Sequence, residues 1–245
     1  MSLDTLTLDT NSAEVPMVPW QDFVEAFQWS QGEHVALIGP TGSGKTNLAY
    51  WLLPKRRYIV VFGTKPKDPS LVAFGKHNGF QILRTWNPKT TAQREPRRIL
   101  WPDASNLDSD RVQRSVFSMA MAHMYRQGGW CLYIDELWYL CQILGLTKAV
   151  KVYLLQARAM EISLVVATQR PAWVPVEVYD QSTHLFFWRD SDSRNLRRLA
   201  ELSVINAETI MWVLARLPKY HVLYVNTRTG EMMITRPPAP EKGNK

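Results

Sequence analysis

Long apolar runs, histidine clusters and paired cysteines are all scarce in this chain, and each scarcity removes a class of protein. No apolar run approaches the ~20 residues needed to cross a bilayer. The amino terminus, MSLDTLTLDTNSAEV, carries acids and lacks the basic stretch of a secretory leader. It reads as a polar leader over residues 1–17. The two cysteines, Cys131 and Cys141, make no C-x-x-C metal pair. Both lie among apolar residues, which points to buried thiols in a reducing, cytoplasmic compartment. The five histidines are scattered without ligand spacing, so no structural zinc is expected. Internal repeats and shifts of composition are missing too. We therefore read 18–236 as a single domain and 237–245 as a polar tail.

What is present begins with a core. Hydrophobic residues make up 46% of the 245, and ten are tryptophan. The net charge of +7 favours a polyanionic partner, though charge of that size also occurs on ordinary soluble surfaces. Residues 39–46, GPTGSGKT, match G-x-x-x-x-G-K-[ST], the phosphate-binding P-loop. Val35, Ala36, Leu37 and Ile38 precede the loop as a buried strand, and a short helix follows from Thr46, stopped near Pro54. Gly42 and Gly44 allow the backbone to curl so that successive N–H groups face inward. The expected nucleotide-binding residues are Gly39, Pro40, Thr41, Gly42, Ser43, Gly44, Lys45, Thr46 and Asn47. Within them Lys45 reaches the β- and γ-phosphates of ATP and the Thr46 hydroxyl ligates Mg²⁺.

The remaining pattern alternates strand and helix, which predicts a parallel α/β sheet with helices on both faces. Strands are expected at 58–62, 80–83, 97–100, 130–134, 162–167 and 183–188. YHVLYVN and EMMITRP read as a closing β-hairpin about a TRTG turn. Helices are expected over 108–128, with Val112, Val116, Met119, Ala120 and His123 as its apolar face. Others are expected either side of Gly145, at about 191–202 and at about 206–217.

Hydrolysis needs a carboxylate element besides the P-loop, and WCLYIDEL supplies one. Asp135 falls where an apolar strand ends and can hold Mg²⁺; Glu136 beside it can orient and deprotonate the attacking water. The alternative is a helix cap with an acid in the first turn. ISLVVATQR repeats the logic, with Gln169 at a strand end as a candidate sensor of the lytic water or γ-phosphate, or simply a turn residue before Pro171.

Taken together, P-loop, Asp-Glu strand and Thr-Gln strand resemble the additional-strand, catalytic-glutamate branch of P-loop ATPases. More narrowly, LLQARAMEISLVVATQRP is similar to a segment of the FtsK/HerA-type DNA-pumping ATPases, in which a helix carrying an arginine leads into a strand ending A-T-Q-R-P. The resemblance implies a RecA-like core with strand order 5-1-4-3-2, a homo-oligomeric ring of six, and ATP-driven movement of double-stranded DNA. It also implies roles: Asp135 holds the metal, Glu136 is the catalytic glutamate, Gln169 the sensor, and Arg158 the arginine acting in trans. Arg158 would stand near the end of a helix whose Val152 and Leu155 mark a buried side. The alternative for it is a charge that complements the helix dipole.

Membrane-spanning and winged-helix regions of the bacterial chromosome translocases have no counterpart here. In size the chain is more like the genome-packaging ATPases of bacterial and archaeal viruses. That likeness implies host cytoplasm or virion as the location, and a capsid vertex or portal component as a partner.

DNA affinity comes mainly from phosphate neutralisation, so basic clusters are the candidates for a DNA contact. One runs Arg84, Lys89, Arg94, Arg97 and Arg98; another contains Arg189, Arg194, Arg197 and Arg198; Lys65 and Lys67 form a third. Each is equally readable as a solvated face. The competing functions are an assembly ATPase acting on protein, a nucleotide-gated switch, and a small-molecule kinase.

Overall fold

The strand that feeds the P-loop, β3 (His34–Ile38), is buried at all five positions because it lies between two parallel neighbours in the middle of a sheet. The structure is a computed structural model and describes residues 5–6, 15–89, 94–190, 192, 194–195 and 207–239. Its other main strands are β4 (Ile59–Phe62), β5 (Gln81–Leu83), β6 (Arg97–Leu100), β7 (Cys131–Ile134), β8 (Ser163–Thr168) and β9 (Ser182–Phe187). The closing hairpin is β10 (Val222–Asn226) and β11 (Met232–Thr235). The nine strands run β11-β10-β9-β3-β8-β7-β4-β6-β5, parallel from β9 to β5 and antiparallel across β9, β10 and β11. The five central strands, β9-β3-β8-β7-β4, reproduce the order 5-1-4-3-2 that the resemblance implies. The hairpin extends the same sheet beyond β9, and β6 and β5 extend it beyond β4.

Near the amino end, β1 (Thr5–Leu6) pairs with β2 (Val15–Pro16). Val15 is fully buried and the Val18 N–H donates to the Ile234 carbonyl at 2.8 Å, so the chain has joined the sheet edge at β11 before residue 18. Helix α1 (Trp20–Ala26) then places Phe23 against Phe186 and Tyr224. The next helices are α2 (Lys45–Leu52), α3 (Pro69–His77), α4 (Ser109–Gln127), α5 (Thr147–Gln156), α6 (Glu177–Asp180) and α7 (Ala207–Arg216). The sheet thus separates two apolar clusters, one containing Leu48, Leu52 and Phe74, the other Phe117, Met121, Leu154 and Leu214. Cys131 and Cys141 are free and buried, and burial pushes the Cys131 thiol up to about 12. Among the described residues no helix is long and apolar enough to cross a membrane.

Two expected helical faces are rotated. Helix α4 buries Gln113, Phe117, Ala120, Met121 and Met124 while Val112 and Met119 are half exposed. A one-residue offset is 100° of rotation. Phe117 stacks on Phe62 at 4.2 Å, and Gln113 is tolerated inside because its amide donates to the Thr64 carbonyl at 3.3 Å. In α5 the buried residues are Val150, Tyr153 and Leu154, whereas Leu155 is 55% exposed. The segment before α5 is a π-turn over Tyr139–Ile143, closed by the Leu144 N–H on the Tyr139 carbonyl at 3.1 Å, in place of a regular helix. Of the helix expected at 191–202, only Arg194 and Asn195 fall among the described residues as helical positions.

Candidate functional site

Three parallel strands, β3, β8 and β7, end side by side, and the loop after each delivers one part of the site. After β3 the chain turns through Gly42 (φ +74°) and Gly44 (φ +112°), left-handed conformations that favour glycine, into α2. Gly39 has a packing reason to be glycine: a Cβ there would stand 2.7 Å from the Cβ of Trp188. Lys45 arches over the loop and donates to the carbonyls of Gly39 (2.6 Å) and Pro40 (2.7 Å). Burial holds its pKa below the ordinary lysine value against the opposing pull of Glu136 and Asp135.

Asp135 follows β7 and is held on both oxygens. Its Oδ1 accepts from the Tyr133 hydroxyl (2.6 Å) and from Thr46 Oγ1 (3.0 Å), and its Oδ2 accepts from Lys65 Nζ (2.8 Å). Burial opposes its ionisation, but the hydrogen bonds from Lys65, Tyr133 and Thr46 outweigh that and hold the carboxyl below its usual range. Glu136 is shifted the other way. Burial and the neighbouring Asp135 charge raise its pKa, with Lys45, Lys65 and Arg170 opposing. Two adjacent carboxyls with pKa values pushed apart suit two roles, one permanently charged and one able to take a proton.

Gln169, after β8, joins these parts. Its Nε2 donates to Glu136 Oε2 at 3.0 Å and its Oε1 accepts from the Thr41 hydroxyl in the P-loop. The other Glu136 oxygen, Oε1, is buried and accepts from no protein group. Thr46 and Asp135 are hard oxygen donors, as Mg²⁺ requires, and no group of three or more His, Cys, Asp or Glu able to hold a metal occurs among the described residues. That donor set fits a cation completed by substrate phosphates rather than one caged by protein.

The remaining predicted residues lie elsewhere. Asn47 donates to the Pro238 carbonyl at 2.6 Å. Arg158 is exposed on a 3₁₀ turn, Ala157–Met160, past the end of α5. Its carbonyl and Cγ adjoin Gly32, at the amino end of β3, so the whole strand separates it from the P-loop of its own chain. Arg194 is exposed and lies near Asp192 (3.7 Å), while Arg197 and Arg198 lie outside the described residues. The cluster around residues 84–98 is broken, because Arg98 is fully buried between the rings of Trp86 and Trp130. Lys65 is half exposed and pairs with Asp135 at 2.8 Å and Asp68 at 3.7 Å. Its position after β4 is the one signal that could have revealed this, since the loops at that end of a parallel sheet converge on the ligand site.

No family model matches the chain. It is 21% identical over 213 residues to the DNA packaging ATPase P9 of Enterobacteria phage PRD1, covering 84% of this chain and 87% of that protein. Its fold is similar to the genome packaging NTPase B204 of Sulfolobus turreted icosahedral virus 2 in complex with sulfate. There the TM-score is 0.62 at 20% identity, covering 84% of this chain and 97% of the other. The same protein in complex with AMPPCP gives a TM-score of 0.61 at 18% identity, covering 86% and 100%. In sequence and in fold, this chain is similar to the P-loop NTPases that package viral genomes.

Proposed function

We propose that this chain is an ATPase motor that hydrolyses ATP to move double-stranded DNA, in the packaging of a viral genome. The Glu136 carboxylate carries the reading: one oxygen is oriented by Gln169, the other is buried and accepts from no protein group, and Asp135 and Lys45 stand beside it. A helix cap needs none of these features.

In this reading the backbone of residues 39–47 cradles the phosphates and Lys45 leaves the Gly39 and Pro40 carbonyls for the γ-phosphate. Thr46 and Asp135 hold Mg²⁺, which when bound neutralises charge on the phosphate oxygens. Glu136 takes the proton of the attacking water, and Gln169 fixes its direction. Arg158, on the opposite edge of the sheet, serves the site of a neighbouring subunit in a ring of six. A capsid vertex or portal component, in the host cytoplasm or the virion, would be the docking partner. The likeness to P9 and B204 supports packaging over the other uses of a P-loop. Arg194, with Arg197 and Arg198, remains our choice for the DNA contact.

The test is ATP turnover by the purified chain with and without duplex DNA, alongside DNA binding as a function of salt. We expect stimulation by any duplex sequence and an affinity that falls steeply with salt. Neutralising Arg194, Arg197 and Arg198 together should flatten that salt slope. Turnover indifferent to DNA, with no DNA affinity at low salt, would replace this reading by an assembly ATPase acting on protein.

A further inference from the structure

The outer face of α4 carries charge of one sign. From Arg111 to Gln127 the helix holds Arg111, Arg114 and Arg126 and no acid, whereas Asp190 and Asp192 stand among the arginines of residues 189–198. Phe117, Ala120, Met121 and Met124 turn inward, so the opposite side of the helix faces out. There Arg111, Ser115, Ser118 and Ala122 follow one another at steps of four, three and four residues, a single stripe of the helix. With Arg114 and Met119 they line an open hollow of about 460 Å³, and all six are exposed.

Neither Arg111 nor Arg114 has a hydrogen-bond or ion-pair partner among the described residues. Arg111 stands in the first turn of α4, where a cation opposes the helix dipole, so its charge does not help the helix that carries it. The Arg114 guanidinium lies over Gly145, where a Cβ would stand 3.3 Å from one of its nitrogens. Gly145 closes the segment that begins at Glu136. Within that segment the Leu140 N–H donates to the Glu136 carbonyl at 3.3 Å, and the Leu146 N–H donates to the Leu140 carbonyl at 3.1 Å. Two backbone hydrogen bonds thus connect the floor under Arg114 to the residue proposed to activate water.

We infer that this face of α4 seats the sugar-phosphate backbone of a DNA duplex, with Arg111 and Arg114 gripping phosphates and Ser115 and Ser118 donating from their hydroxyls. The inference rests on the proposed movement of double-stranded DNA and adds a contact separate from Arg194, Arg197 and Arg198. Arginine and serine are ordinary partners of phosphate oxygens, and a guanidinium can hold two of them in one fork. The short side chains of Ser115, Ser118 and Ala122 let a strand come close to the helix. Contacts of this kind carry no sequence information, which suits a track made of any sequence. A second copy of this chain, itself at +7, is the poorer electrostatic complement.

The experiment is anisotropy titration of the full chain with two labelled duplexes of unrelated sequence, over about 50–200 mM salt, and with labelled poly-L-glutamate. Arg111→Ala combined with Arg114→Ala should flatten the plot of log affinity against log salt by about 0.9 for each arginine, equally on both duplexes. Both positions are exposed and helical, where alanine is favoured, so the variant keeps its fold. The matching pair of lysine substitutions should keep the parent slope, because the charge is kept. Ser118→Glu, which removes no cation, should weaken duplex binding at low salt. A parent that binds duplex, with its slope unchanged in the alanine pair, overturns the inference and leaves DNA binding to other contacts. A lysine pair as flat as the alanine pair overturns it too. Poly-L-glutamate bound as tightly as duplex, and lost in the alanine pair, overturns it in favour of an acidic protein surface. A parent without duplex affinity at low salt overturns it together with the reading on which it rests.

Discussion

Gln169 donates to Glu136 across 3.0 Å while accepting from Thr41, so the P-loop and the acid after β7 are joined through one amide. A change in Thr41 on phosphate binding therefore reaches Glu136 through a single side chain. Glu136→Gln should leave nucleotide binding nearly intact and cut single-turnover hydrolysis by ~10²–10⁴-fold, the usual worth of a positioned base. Normal hydrolysis by this variant would leave the Asp-Glu pair as no more than a helix cap.

The same substitution has a stability consequence of definite sign. The folded pKa of Glu136 is raised by burial and by Asp135. A raised carboxyl favours the folded state when protonated, and that contribution is lost as pH rises through the folded value. At neutral pH the ionised Glu136 is thus a destabilising group. Glu136→Gln should melt at a higher temperature than the parent at pH 7, and the difference should shrink toward pH 4. A variant that melts lower at pH 7 would mean the carboxylate is stabilised by partners other than those described.

Lys65 and a divalent cation have the same claim on Asp135. The lysine side chain is half exposed, so the 2.8 Å pair is a partly screened one, worth ~0.2–1 kcal/mol. Lys65→Ala should lower the Mg²⁺ concentration needed for half-maximal nucleotide binding by up to about fivefold. A higher Mg²⁺ requirement would instead make Lys65 a direct phosphate ligand.

Arg158 can be tested by mixing. Arg158→Ala should bind nucleotide and turn over ~10³–10⁵-fold more slowly, as when an arginine finger is removed. Mixed with Lys45→Ala, also inert, it should regain part of the activity, because some boundaries then pair an intact P-loop with an intact arginine. A mixture as inactive as its parts, in assemblies shown to exchange subunits, would remove Arg158 from catalysis.

Gly39→Ala places a methyl group against Trp188 at 2.7 Å. Overpacking of that kind costs ~1–3 kcal/mol, and here it would also displace the loop. We expect a lower melting temperature and weaker nucleotide binding together. Retention of full affinity would show that the loop can shift without loss.

The central strands themselves were legible because they rest on short-range signals, whereas their order came only from the resemblance to the FtsK/HerA-type ATPases. Apolar runs set β3, β7 and β8, and the residue following each run is fixed by chain connectivity. Faces were less legible. Val112 and Val116 look like an inward pair by hydrophobicity, but the helix turns on Phe117 meeting Phe62, a contact between segments far apart in sequence. Gln113 looks like a surface residue until the Thr64 carbonyl is seen beside it. Two of the basic clusters lose a member for a related reason. Charge can be counted along a chain, but which cations face outward depends on packing, and Arg98 and Lys65 face inward or toward acids.

The indole cage around Arg98 also changes what the formal charge of +7 means for a polyanion. A guanidinium sealed between two rings displaces no condensed cations from a duplex. Lys45 donates to the Gly39 and Pro40 carbonyls, Lys65 is paired with Asp135, and Arg228 is paired with Glu33 at 3.0 Å. Under the proposed function, the number of ions released on a duplex should therefore be smaller than composition suggests. Titrating that number against salt would count the cations that the surface presents.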